Sequence, residues 1–117
     1  MEKTIGLIKE HFESSSNRTP QYLTAHRTFK REFTKLLKEL EVLELDISKP
    51  NHFDMSGFFR TKANKVFWFR IEDLRWSKDN MLIRTAKDFK DYTGGTNQFI
   101  DLETEQSFKE QLIKVIT

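Results

Sequence analysis

A chain of 117 residues with 20 Lys+Arg against 18 Asp+Glu has a net charge of +2, the length of one domain with a core of its own. It has no cysteine, which excludes disulfides, thiolate catalysis and cysteine-ligated zinc. Eleven phenylalanines exclude a disordered chain.

The first residues, MEKTIGLIKEHF, carry acids and no apolar h-region, so no signal peptide is expected. No apolar run reaches membrane-spanning length. The expected location is the cytoplasm.

Ile5, Ile8 and Phe12 fall at helical spacing and predict a first helix over Glu2 to Glu13. The polar stretch Ser14 to Pro20 breaks it. Thr19-Pro20 then reads as an N-cap followed by a proline at the first helical position. The helix it opens runs to about Leu40, with Tyr22, Phe29, Phe33, Leu36, Leu37 and Leu40 as its apolar stripe. Arg27, Lys30, Arg31, Lys35 and Lys38 lie largely outside that stripe.

The period then changes to alternation. Leu43, Leu45 and Ile47 predict a half-buried strand; Ser48 to Asn51 is a turn around Pro50. His52 to Phe59 predicts a second strand, with Thr61 to Lys65 as a hairpin loop. Lys65 to Glu72 is a third, its core face Phe67, Phe69 and Ile71 and its other face, less defined, Val66, Trp68 and Arg70. Ser77 to Asn80 is a turn and Met81 to Ala86 a fourth strand. Lys87 to Asn97 reads as a polar loop ending in TGGTN, whose glycines are expected at positive φ in a tight turn. Gln98 to Leu102 reads as a short edge strand. Thr104 caps a last helix, Glu105 to Ile116, with Phe108, Leu112, Val115 and Ile116 as its apolar face.

The expected fold is therefore a single α+β domain over residues 1–117. An antiparallel four- to five-stranded sheet carries the long helix and the C-terminal helix on one face.

Catalytic patterns are thin. His52 and Asp54 would share a strand face, as a base and its orienting carboxylate do, but with no nucleophile or second histidine nearby a solvated outer face beside a turn is the reading adopted. Asp54 with Glu72 and Asp73 could form a carboxylate cluster for a metal-dependent hydrolase. The Asp…Glu-x-Lys nuclease pattern fails because Leu74 stands where the lysine is required. His11, His26 and His52 share no metal-ligand spacing, and the Gly94-Gly95 loop lacks a phosphate-binding pattern. The expectation is a non-enzymatic protein without cofactor or metal.

Charge is sorted along the chain. Arg60 to Lys90 holds nine bases and four acids, net +5, whereas residues 41–59 are net −3 and residues 101–117 net −2. The basic stretch also holds aromatics. Arg70, Arg75, Trp76, Arg84, Lys87, Lys90 and Tyr92, with Asn97 in the loop, form the candidate binding cluster, centred on Trp76 and the loop. Arginine forks bind phosphates or carboxylates, and Trp and Tyr stack on bases or anchor protein surfaces.

The runs SGFF (Ser56 to Phe59), FRIEDLRW (Phe69 to Trp76) and LIRTAKDFKDYTGGTNQF (Leu82 to Phe99) resemble a family of small proteins carried on bacterial plasmids and integrative elements. The likeness covers the C-terminal two-thirds of the chain. Proteins of this size on such elements include inhibitors of host defence, among them anti-CRISPR proteins. The resemblance implies an inhibitor of an RNA-guided nuclease that binds the effector or blocks loading of its guide RNA. The alternative it implies is a direct nucleic-acid-binding regulator or accessory factor of a conjugative element. Inhibitors that mimic DNA are strongly acidic, and this chain departs from them.

Overall fold

The computed structural model describes residues 1–10, 12, 19–50 and 52–117. The chain runs α1 (Glu2–Ile8), α2 (Pro20–Glu39), β1 (Glu44–Ile47), β2 (Met55–Arg60), β3 (Val66–Ile71), β4 (Asn80–Asp88), β5 (Asp91–Gly94), β6 (Gln98–Asp101) and α3 (Glu105–Ile116). The expected α+β architecture is present, with six strands rather than four or five.

Both predicted caps form. Thr19 Oγ1 accepts from the Tyr22 amide at 3.4 Å and Thr104 Oγ1 from the Ser107 amide at 3.1 Å. The first helix is shorter than expected. It ends at Ile8, where the Glu10 amide bonds the Leu7 carbonyl at 3.2 Å and tightens the last turn. His11 and Glu13 of that predicted helix and most of the breaker lie outside the described residues, as does Asn51 of the β1–β2 turn.

The strands form an antiparallel meander, β1-β2-β3-β4-β5, and β6 shares the far edge of β4 with β5. Asn80 to Ile83 of β4 pair with β6, and Ala86 and Asp88 pair with β5 across an irregularity in the ladder. The stretch expected to be a loop over residues 87–97 therefore contains a strand and a hairpin. Alternation conceals β5 because it is four residues long and polar.

Gly94 is not at positive φ, and no glycine is. What it supplies is space: a Cβ there would lie 1.9 Å from the Thr85 carbonyl oxygen. Positive φ falls instead on Glu41, His52, Phe53, Asn64 and Lys90, among them two of the hairpin ends.

The core lies between the helices and one sheet face. Phe33 of α2 sits among Phe29 (centroids 5.1 Å apart), Phe69 (4.9 Å), Phe108 (6.2 Å) and Phe59 (6.3 Å). Ile5 and Ile8 of α1 and Phe108 and Leu112 of α3 join the same buried cluster. Burying a large apolar side chain contributes about 1.5–3 kcal/mol, so this row of rings is the main source of stability. Phe67, Phe69 and Ile71 face the core as expected, and Val66, Trp68 and Arg70 face the other way. Among the described residues no helix covers that outer face, and none of them crosses a membrane in length and apolarity.

Candidate binding face

The outer face is built by register. One cross-strand row is Asp46, Phe58, Trp68 and Arg84, and the next is Ser56, Arg70, Leu82 and Phe99. Side chains opposite one another on adjacent strands are close enough to interact, so each row is a line of contact. The Arg84 guanidinium lies 4.6 Å above the Trp68 ring, within cation–π range. Its Nη1 donates to Asn97 Oδ1 at 3.0 Å, tying the β5–β6 connection to the face.

At one end the face closes on itself. Phe89, in the β4–β5 turn, stacks on Phe58 with centroids 5.9 Å apart and planes at 25°. Arg60 lies 5.6 Å from the Phe89 ring and pairs with Glu44 at 3.1 Å and Asp88 at 3.3 Å. The hairpin thus curls over β3 and buries Phe58 and Val66 without any helix.

At the other end Arg70 Nη2 pairs with Asp54 Oδ2 at 3.0 Å. Phe99 of β6 is 58% exposed. The face therefore combines aromatic rings with arginines whose geometry is already held by partners. Its charges are mixed, because Glu44, Asp46, Asp54 and Asp88 stand among the arginines.

The eight predicted residues divide among three places. Arg70, Arg84 and Asn97 belong to the face. Arg75 and Trp76 lie in the turn after β3. Arg75 is bound to Asp73 at 2.6 Å and covers the buried Phe53 ring at 4.6 Å. The Arg75 hydrogen bond is the main reason the Asp73 carboxyl is held below its ordinary range. Trp76 is 79% exposed. Lys87 is exposed near the far end of β4, Lys90 in the hairpin turn, and Tyr92 is on β5, its side chain outside the described residues. β4 has nine residues, so these two ends are separated by roughly 25 Å of strand. Closeness in sequence placed Trp76 beside the loop, whereas the meander puts a strand's length between them.

Trp68, Phe58, Arg60, Phe89 and Phe99 were missed as members of the site. Trp68, which the sequence placed mid-strand on the less defined face, is half-buried on the outer face beneath Arg84. Its parity with Arg70 was the signal available.

The strand reading of His52 is also corrected. His52 and Phe53 have φ of 52° and 58°, a left-handed turn before β2 begins. The Tyr22 hydroxyl, donating to the Asp54 carbonyl at 2.6 Å, and the Leu74 amide, donating to the Phe53 carbonyl at 2.8 Å, hold that turn. His52 and Asp54 therefore do not share a strand face, and the Asp54 carboxylate is engaged by Arg70. Among the described residues no three His, Asp or Glu side chains converge to hold a metal ion.

No protein-family model matches the chain, and neither does any curated protein or any solved structure.

Proposed function

We propose that this chain is a small non-enzymatic binding protein whose outer sheet face docks on a partner protein. The supporting observation is the Trp68–Arg84 stack beside the exposed Phe99. Trp and Arg dominate the energetic centres of protein interfaces. Arg60, Arg70 and Arg84 are already fixed by stacking or by bonds to Asp, Glu and Asn, so little side-chain freedom is lost on docking. Charges of both signs on the face suit a polar protein surface.

The candidate partner comes from the likeness of residues 56–59, 69–76 and 82–99 to mobile-element proteins. It is the effector of an RNA-guided nuclease in a bacterial cytoplasm, inhibited by occupation of its surface or by blocked guide-RNA loading. Co-purification with type II effector nucleases and a cleavage assay test this reading. Inhibition that is lost in the double variant Arg84→Glu/Phe99→Ala is expected. Normal cleavage by several effectors at saturating protein would overturn it.

A second reading has its own support, the antiparallel sheet that presents Trp68 and Phe99 as a base-stacking platform. On that reading the chain binds single-stranded nucleic acid directly, as a regulator of a conjugative element. An electrophoretic shift with single-stranded DNA and RNA, abolished by Phe99→Ala, would favour it over the protein-docking reading.

A further inference from the structure

A second surface lies on the opposite side of the molecule. Arg27, Lys30, Arg31, Lys35 and Lys38 lie along α2, each three or four residues from another of the set, and are all exposed. They span eleven residue steps, about 16 Å of helix. Only Thr34 interrupts the ridge.

The ridge is uncompensated. The two acids of α2 share a groove with Lys35 but are occupied by other partners. Glu32 accepts from the Thr4 amide at 2.7 Å and the Thr4 hydroxyl at 2.6 Å, and Glu39 pairs with Lys109 at 3.6 Å. Among the described residues none of the five ridge cations has a carboxylate partner; Arg27 donates to Thr24 Oγ1 at 3.3 Å. Elsewhere Lys9, Arg60, Lys62, Arg70 and Arg75 all have one. Like charges at these spacings disfavour an isolated helix, so the ridge is a cost that the buried stripe of α2 offsets.

We infer that this ridge is a sequence-independent contact for the phosphate backbone of a nucleic-acid duplex. The inference goes beyond the sheet-face reading and does not depend on it. A duplex presents one negative charge per ~1.7 Å of axis, a regular line matching a line of point charges and forks. The ridge offers charge and nothing else. Tyr22, Phe29, Phe33, Leu36 and Leu37 of α2 are buried in the core, and Leu23 is packed against it, partly buried. A membrane-surface helix needs an exposed apolar face, which α2 lacks; the one exposed large apolar side chain in the adjoining groove is Leu43, and no aromatic or arginine among the described residues lines that groove to make a hot spot. The ridge also lacks an exposed aromatic to stack on unpaired bases, which favours duplex over single strand. Because α2 packs on the core side of the sheet, the ridge and the outer face can be occupied at once.

The test is fluorescence anisotropy with labelled DNA and RNA duplexes of about 20 base pairs and unrelated sequences, between ~50 and ~200 mM salt. Binding is expected to be alike for all sequences, with a slope of log affinity against log salt of about −4. Each of Lys30→Gln, Arg31→Gln, Lys35→Gln and Lys38→Gln should weaken binding and reduce the slope by about 1. The four combined should abolish it while circular dichroism shows a cooperative melt at or above the wild-type temperature, since a like-charge cost is removed; if the combination fails to fold, the four single variants carry the test. Arg84→Glu/Phe99→Ala should leave duplex affinity unaltered, which separates this surface from the sheet face. No duplex binding at the lowest salt, or binding that survives the substitutions, would overturn the inference. So would equal binding to polyglutamate or to phosphatidylserine vesicles lost in the same variants, which would make the ridge a site for an acidic polypeptide or a membrane.

Discussion

The Arg84 guanidinium lies over the Trp68 indole at 4.6 Å, although sixteen residues separate the two in the chain. The β3–β4 register puts them directly opposite one another on the helix-free face. A cation–π pair at a partly exposed site contributes about 0.5–1 kcal/mol. A double-mutant cycle of Trp68→Leu and Arg84→Ala, read by urea denaturation, should return a coupling energy of about that size. In a Trp76→Phe background, Arg84→Ala should also shift the remaining tryptophan emission to the red, because it uncovers the Trp68 ring. A coupling energy of zero would show that the stack contributes nothing.

Phe33 and Phe99 should behave as opposites. Phe33 is fully buried among four rings, and Phe33→Ala should cost about 3–5 kcal/mol. Phe99 is 58% exposed, and Phe99→Ala should change stability by no more than about 0.5 kcal/mol. Urea midpoints of the two variants compare them directly. A large loss from Phe99→Ala would mean that the ring is part of the core after all.

The glycines separate by space. An alanine Cβ at Gly57 would lie 2.2 Å from the Asp46 carbonyl oxygen and 2.9 Å from Phe69 Cζ, so β1 would be pushed off β2. Gly57→Ala should destabilise by about 1–3 kcal/mol, as overpacking does. Nothing lies within 4 Å of the same atom at Gly6 in α1. Gly6→Ala should stabilise by about 0.5–1 kcal/mol through helix propensity. Thermal melts of both variants check the signs.

His26 makes stability depend on pH. Burial pushes its imidazole below the ordinary value of 6.5, against the hydrogen bond from its ring Nε2 to the Ser48 carbonyl at 3.1 Å. Well above that value His26 is neutral in both states and has no effect. As pH falls through it, the unfolded chain takes up a proton that the folded chain refuses. Stability then declines until the lowered folded value is reached. The melting temperature should therefore fall as pH drops through and below the ordinary histidine value of 6.5, and His26→Gln should flatten that part of the curve.

The carboxylates act lower. At Asp73 the Arg75 hydrogen bond lowers the value; at Glu32 burial raises it but the Thr4 bonds outweigh burial. What these two contribute is present above the ordinary carboxylate range and is lost as pH falls through their lowered folded values. A pH profile unchanged by His26→Gln would remove histidine as the cause of the upper limb.

Much of the fold was legible because periodicity reports burial. The stripe of α2 and the alternation of Phe67, Phe69 and Ile71 each state a period and a face, and both elements form as read. The caps at Thr19 and Thr104 are local chemistry, complete within four residues. β5 was not legible, since its four residues gain their pairing from Ala86 and Asp88 of β4 rather than from their own pattern.

The site was less legible than the fold. Arg70 and Arg84 were singled out because they interrupt apolar strands, and both do lie on the outer face. Trp76 was drawn in by proximity along the chain and stands at the far end of β3 from the β4–β5 hairpin. Phe89 looked like part of a polar loop; only the curl of that hairpin brings it onto Phe58.

By itself, then, the sequence determined most of the helices and strands, though not β5 or the ends of α1 and β2, which faces of α2 and β3 enter the core, and that α2 carries a basic ridge. These follow from spacing along the chain, which propensity and burial read locally. Only the tertiary structure decided which aromatic residue each arginine meets. That depends on cross-strand register, set by packing of the whole core face, and it makes Trp68, not Trp76, the partner of Arg84.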